Sequence, residues 1–276
     1  MADLTMIRLH EWIVVLYAIS LVFYFIDYLN KNRMAQRIGF WILSIVYIMQ
    51  TISLFGYVLE TKRFPILSLF EGIYFYAWLL ITVSILLHFF SKGGYVAFLL
   101  NIIGFIFMSI HTFAPMQIKQ SAVGETLISE LLFIHISFAI LSYVAFAVSF
   151  VFAILYLILY KALKRKKWSN QFGRLPSLQQ AAKGMMIGII TGIPLLFISL
   201  ILGIQWATIV LEEWSFLDMK IISSFVILII YGLVFFGMKT GKIRGNNSAW
   251  ANVFAFLFVL INFFLGSTFS GFHFWI

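Results

Sequence analysis

The sequence predicts an all-α, polytopic membrane protein with eight transmembrane helices and both termini outside. Three observations carry that prediction. Of its 276 residues 63% are hydrophobic and only 11% charged, where a soluble domain needs roughly a quarter charged. Eight apolar runs are long enough to cross a hydrocarbon core of about 30 Å. The lysines and arginines are concentrated in alternate connections, as the positive-inside rule requires.

The apolar runs lie at 11–29, 38–58, 68–90, 95–114, 131–160, 185–203, 219–238 and 250–271. Helix is the expected form of each, because in lipid the backbone must satisfy its own hydrogen bonds. The first connection carries Lys31, Arg33 and Arg37, the third Lys92, the fifth seven cations from Lys161 to Lys183, and the seventh Lys239, Lys242 and Arg244. These are 14 of the 19 lysines and arginines, so this face is assigned to the cytoplasm. The acids mirror them, with Asp27 near the inner face and the others at or near the outer one. The net charge of +9 is therefore topological, and no nucleic-acid partner is expected. The cluster from Lys161 to Lys167 suits anionic lipid headgroups. The opening MADLTMIRLHEW lacks the basic start of a cleaved signal peptide. The longest polar connection, 161–183, is too short to fold alone, so a single integral-membrane domain over 1–276 is expected in a bacterial cell membrane.

Two elements have further signals. Gly184, Gly188 and Gly192 share one face of the sixth helix and allow a neighbouring backbone to approach closely; Pro194 predicts a kink beyond them. The fifth run, at 1.5 Å per residue, is about 45 Å long and exceeds the membrane core.

Without cysteine there is no disulfide, thiolate metal site, cysteine nucleophile or thioether heme attachment. Phosphate-binding glycine loops, metalloprotease and serine-hydrolase motifs and paired intramembrane carboxylates are also missing. No residue is assigned as catalytic, and the chain is not expected to be an enzyme. His10, His111, His135 and His273 fall near the outer boundary, and His88 near the inner one. His135 begins a helix running inward and His273 follows one running outward, so both reach the same leaflet. In the sixth connection, GIQWATIVLEEWSFLD, Trp206, Val210 and Trp214 recur every four residues with Glu212 and Glu213 on another face. That spacing predicts an amphipathic helix at the outer interface. Two neutral imidazoles with an aromatic wall are the usual way to hold heme b without a covalent link. Interfacial tryptophan is also common in membrane proteins without heme, and an interfacial histidine often bonds a backbone carbonyl.

At these residues the chain resembles the polytopic cytochrome c assembly proteins, which handle heme through an external tryptophan-rich segment called the WWD domain. FPILSLFEGIYFYAW, with Pro65 and Glu71, is similar to the family's early motif; LLFIHISFAILSYVAF carries the first external histidine, His135. GIQWATIVLEEWSFLDMK stands where the tryptophan-rich segment belongs, and GSTFSGFHFWI ends the chain with the second external histidine, His273. The resemblance implies His135 and His273 as axial ligands of heme iron, and Trp206, Trp214, Asp218 and Glu71 as cofactor-binding residues. Ser215, Phe216 and Leu217 occupy positions where the family has further tryptophan, and the following helix lacks a histidine for a second heme site. This weakened pattern is most similar to the HemX-like branch, which implies a regulator of porphyrin biosynthesis that lowers the level of glutamyl-tRNA reductase. A heme translocase or chaperone working with cytochrome c maturation proteins is the alternative, and a heme-independent transporter the second. Arg8, Lys62, Arg63, Lys119 and Lys220 are the outer cations open to heme propionates. Glu71 is a candidate partner for an axial imidazole, and equally a helix-start carboxylate.

Overall fold

The computed structural model describes residues 2–90, 94–114, 130–166, 175–211 and 214–264. The predicted ligand His273, the acids Glu212 and Glu213 and the cation Lys119 lie outside them. Among the described residues the regular secondary structure is eight α-helices: α1 (Ala2–Asn30), α2 (Arg33–Thr61), α3 (Leu69–Phe90), α4 (Tyr95–Phe113), α5 (Glu130–Lys164), α6 (Leu178–Val210), α7 (Met219–Lys239) and α8 (Asn246–Phe264). All eight are long and apolar enough to cross a membrane. Each of the eight predicted runs overlaps one of them, and the end of the eighth run, 265–271, lies outside the described residues.

Local chemistry sets several of the ends. The Asn32 side chain accepts from the backbone N–H groups of Met34 and Ala35, supplying acceptors that the first turn of α2 cannot provide for itself. Lys62 then takes the left-handed conformation at φ 56° and returns its N–H to Val58, which stops the helix. Ser177 and Gln180 form a reciprocal capping box at the start of α6, and the Asp218 carboxylate accepts from the Lys220 N–H at the start of α7.

The tryptophan-rich segment differs from expectation. It is not a separate interfacial helix: α6 continues unbroken through Pro194 to Val210 and takes Trp206 with it. The chain is then non-helical at Leu211 and from Trp214 to Asp218. The reason lies in the buried face of α6. Gly192, Leu196, Ser199, Trp206 and Ala207 are all buried on one face of the helix, with the half-buried Gly203 between Ser199 and Trp206. Trp206 therefore ends a long helix whose apolar stripe was already running.

The chain divides into two compact units, one containing α1 to α4 and the other α5 to α8. In the first, polar side chains join the helices where lipid offers no alternative partner. Tyr17 donates to Asn101 Oδ1 at 2.9 Å, Asn101 Nδ2 donates to Ser84 Oγ at 2.5 Å, and Trp78 Nε1 donates to Thr51 Oγ1 at 2.9 Å. Large apolar side chains such as Trp41, Ile52, Phe55 and Leu59 of α2 remain exposed, as a surface solvated by acyl chains requires.

In the second unit α5 and α6 pack along the predicted glycine ladder. A Cβ on Gly188 would stand 2.7 Å from both the Ala145 carbonyl oxygen and Ser149 Cβ, and one on Gly184 would stand 2.5 Å from the Phe152 ring. Ser149 fixes the same contact by donating to the Met185 carbonyl at 2.8 Å while accepting from Asn252 of α8 at 2.5 Å. Backbone cannot step aside as a flexible side chain does, so Gly188→Ala is expected to destabilise by about 1–3 kcal/mol, the usual range for overpacking. Thermal unfolding in detergent checks it. Gly232→Ala in α7, where nothing lies within 4 Å of the added carbon, is the control and should leave the midpoint unchanged or raise it.

Candidate functional site

His135 stands in the second turn of α5, with its imidazole turned onto α6. Its Nδ1 lies 2.6 Å from the Ser199 carbonyl oxygen and 3.1 Å from Ser199 Oγ. A carbonyl oxygen can only accept, so Nδ1 carries the proton and donates it. In the neutral ring Nε2 then holds the lone pair. Ser199 Oγ donates in turn to the His135 carbonyl at 2.9 Å, so the two residues bind each other twice across the helix pair. One turn further along α6, a Cβ on Gly203 would meet His135 Cε1 at 2.5 Å and Nδ1 at 2.7 Å. The imidazole occupies the room that a side chain at 203 would need.

Trp206 follows on the buried face of the same helix and is 7% exposed. Its indole N–H has no hydrogen-bond acceptor among the described residues. An indole N–H in this state can donate to a bound ligand. Trp214 lies past Val210 in non-helical chain, with its ring centroid 4.3 Å from that of Phe216. Asp218 is buried at the head of α7, and Lys220, two residues on, donates from Nζ to the Asn262 carbonyl near the end of α8 at 2.9 Å. Asn262 also accepts from Ser223 at 2.6 Å and donates to Tyr143 of α5 at 3.0 Å. Helices α5, α7 and α8 are thus joined by hydrogen bonds around Asn262.

The outer cations named from the sequence separate clearly. Arg8 and Lys62 are exposed. Arg63 grips Glu71 with both arms, Nη2 to Oε1 at 2.8 Å and Nη1 to Oε2 at 3.1 Å, and Tyr57 donates to the same carboxylate. Burial works against the guanidinium charge, but the hydrogen bond and charge of Glu71, with Tyr57, outweigh it and hold the Arg63 pKa above its ordinary value. Glu71 and Arg63 belong to the first unit, whereas Lys220 shares the second unit with His135.

The other described histidines are held by ordinary packing. His88 stacks on Phe40 at 4.3 Å. His111 donates from Nδ1 to the Phe70 carbonyl at 3.0 Å, and His10 Nε2 lies 3.0 Å from Ser53 Oγ. The rings of His10 and His111 meet edge-on at 5.0 Å with Tyr74 against both, a cluster in the first unit that sequence reasoning did not foresee. It also missed Ser199 and Gly203. Their signal was available, because they extend the ladder of Gly184, Gly188 and Gly192 by seven and then four residues, two turns and one turn of the same helix face.

Residues 66–273 match the Cytochrome C assembly protein family. The chain is 42% identical over 273 residues to Protein HemX of Bacillus subtilis (strain 168), covering 99% of each chain. It is 39% identical over 267 residues to Protein HemX of Brevibacillus brevis, covering 97% of each. To the Cytochrome c biogenesis protein CcsA of Guillardia theta it is 26% identical over 277 residues, covering 92% of this chain and 90% of that one. With eight apolar helices and relatives along nearly its whole length, the chain belongs to the cytochrome c assembly family as a HemX-like, multi-pass bacterial membrane protein.

Proposed function

We propose that this protein binds heme b non-covalently at the outer end of α5 to α8 and acts, without catalysing a reaction, as a regulator that lowers the level of glutamyl-tRNA reductase. The observation that carries the reading is the state of His135. Its Nδ1–H is committed to the Ser199 carbonyl, which leaves Nε2 as a base, the arrangement that prepares a histidine for a metal. The orphaned indole N–H of Trp206 supports it, since a buried donor in the same unit awaits an acceptor. Among the described residues no three His, Cys, Asp or Glu side chains are grouped to hold a bare ion, which suits a metal that brings four ligands in its own macrocycle.

In this reading His135 and His273 are the axial ligands, Trp206 and Trp214 supply the aromatic wall, and Lys220, with Asp218 beside it, offers the cation for a heme carboxylate. Heme contributes an iron whose ligation and oxidation state change its fit to the protein. The chain's own residues orient the imidazole, exclude water and neutralise carboxylate charge. A regulator needs no more than differential affinity: heme binds one of two conformations more tightly, and the basic connection of 161–183 then presents a different surface to a cytoplasmic partner.

Titration of the apo protein in detergent with hemin, and with hemin dimethyl ester, tests the binding reading. Hemin should bind several-fold more tightly than the ester, because only the free acid carries the charges that Lys220 attracts. Lys220→Met should remove that preference while both ligands still bind. Failure of the unaltered protein to bind hemin would contradict the proposal.

A further inference from the structure

We infer that Ser199 and Gly203 are the positioning residues of His135, deciding which ring nitrogen meets the ligand and where the ring stands; the inference rests on the heme-binding reading above. A histidine on a helix has two soft torsions and two tautomers, and a ring free to sample them presents its ligating nitrogen only part of the time. Here each freedom is removed by α6. The Ser199 carbonyl accepts Nδ1–H at 2.6 Å and selects the tautomer in which Nε2 carries no proton. If the ring turned over about its Cβ–Cγ bond, Nδ1–H would leave the carbonyl and place a carbon in its stead, so the hydrogen bond selects the rotamer as well.

Ser199 Oγ completes the clamp. Its proton goes to the His135 carbonyl at 2.9 Å, which turns its lone pairs toward Nδ1 at 3.1 Å. One serine therefore holds both the backbone and the ring of His135. Gly203 sets the remaining coordinate. Its missing side chain is the space the imidazole fills, with Cε1, Nδ1 and Nε2 at 2.5, 2.7 and 3.0 Å from where a Cβ would stand. Alanine there must tilt or expel the ring. The bond at Nδ1 also increases the electron density that Nε2 donates, as acceptors behind metal-bound histidines do. Because both positioning residues lie on α6, any displacement of that helix along α5 moves the nitrogen that meets the iron.

Two measurements test this. The first is nitrogen-15 NMR of histidine-labelled apo protein in detergent, with His135→Gln to assign the signal. Wild type and Ser199→Ala should both show Nδ1–H and an unprotonated Nε2, since the accepting carbonyl is backbone, whereas Gly203→Ala should show both tautomers in exchange. The second is a double-mutant cycle on the unfolding midpoint. Gly203→Ala should lower the midpoint, or prevent folding, when His135 is present, and should be tolerated in the His135→Ala background, where the ring it strikes is gone. A wild-type His135 protonated on Nε2, or a Gly203→Ala effect equal in the two backgrounds, overturns the inference. If the clamp is found but no variant and no wild-type protein takes up hemin, the heme reading fails and the clamp stands as a structural device.

Discussion

A protein carrying His135→Ala and His273→Ala together is expected to purify without the absorbance of six-coordinate heme, while each single variant keeps a weaker, five-coordinate spectrum. The expectation follows from how little else in the second unit can ligate iron. His135 is the histidine described there, and Lys220, an ammonium that donates to the Asn262 carbonyl, has no lone pair for iron. In the proposed site, loss of one ligand would still leave Trp206, Trp214 and one imidazole, so porphyrin should be retained with reduced affinity. Loss of both leaves hydrophobic contact alone, which does not fix iron. Absorption spectra of the three variants, read beside a pyridine extract that counts total heme, check the outcome. A double variant with an unchanged six-coordinate spectrum removes the pocket.

The second large effect is expected in cells. A strain lacking this protein should accumulate glutamyl-tRNA reductase and keep its covalent c-type cytochromes, because a regulator alters an enzyme's level whereas a heme chaperone supplies the cytochromes themselves. The two proposed roles would use the same heme site, and the tryptophan-rich segment is where they part. In this chain the stretch after Trp214 is Ser215, Phe216 and Leu217, all exposed. It is non-helical and offers less aromatic surface than a full WWD segment would for presenting heme to another protein. Immunoblots of the reductase and heme staining of cytochromes c in the deletion strain separate the readings. Loss of cytochromes c with a normal reductase level would favour the chaperone.

The fold was legible because the dominant force on this chain acts through long windows. A run of about 20 apolar residues has one stable form in lipid, and the eight runs read from the sequence are the eight helices found. The glycine ladder was legible for the same reason, as a period visible within one helix. What failed was a boundary. The spacing of Trp206, Val210 and Trp214 is helical, but spacing cannot tell a new helix from the end of an old one, and the buried stripe of α6 decided the matter. The orienting partner of His135 was hidden more deeply, since Ser199 acts largely through a backbone carbonyl that no residue type encodes. The bidentate pair of Arg63 and Glu71 illustrates the converse. Both residues were named from the sequence, and only their geometry shows that they are committed to each other.

Detergent-purified protein, produced with an ample heme supply, should show a Soret band in the oxidised state that sharpens on reduction with the resolved visible bands of a six-coordinate b-type heme. A preparation that is folded and colourless, and that stays colourless after hemin is added, contradicts the account.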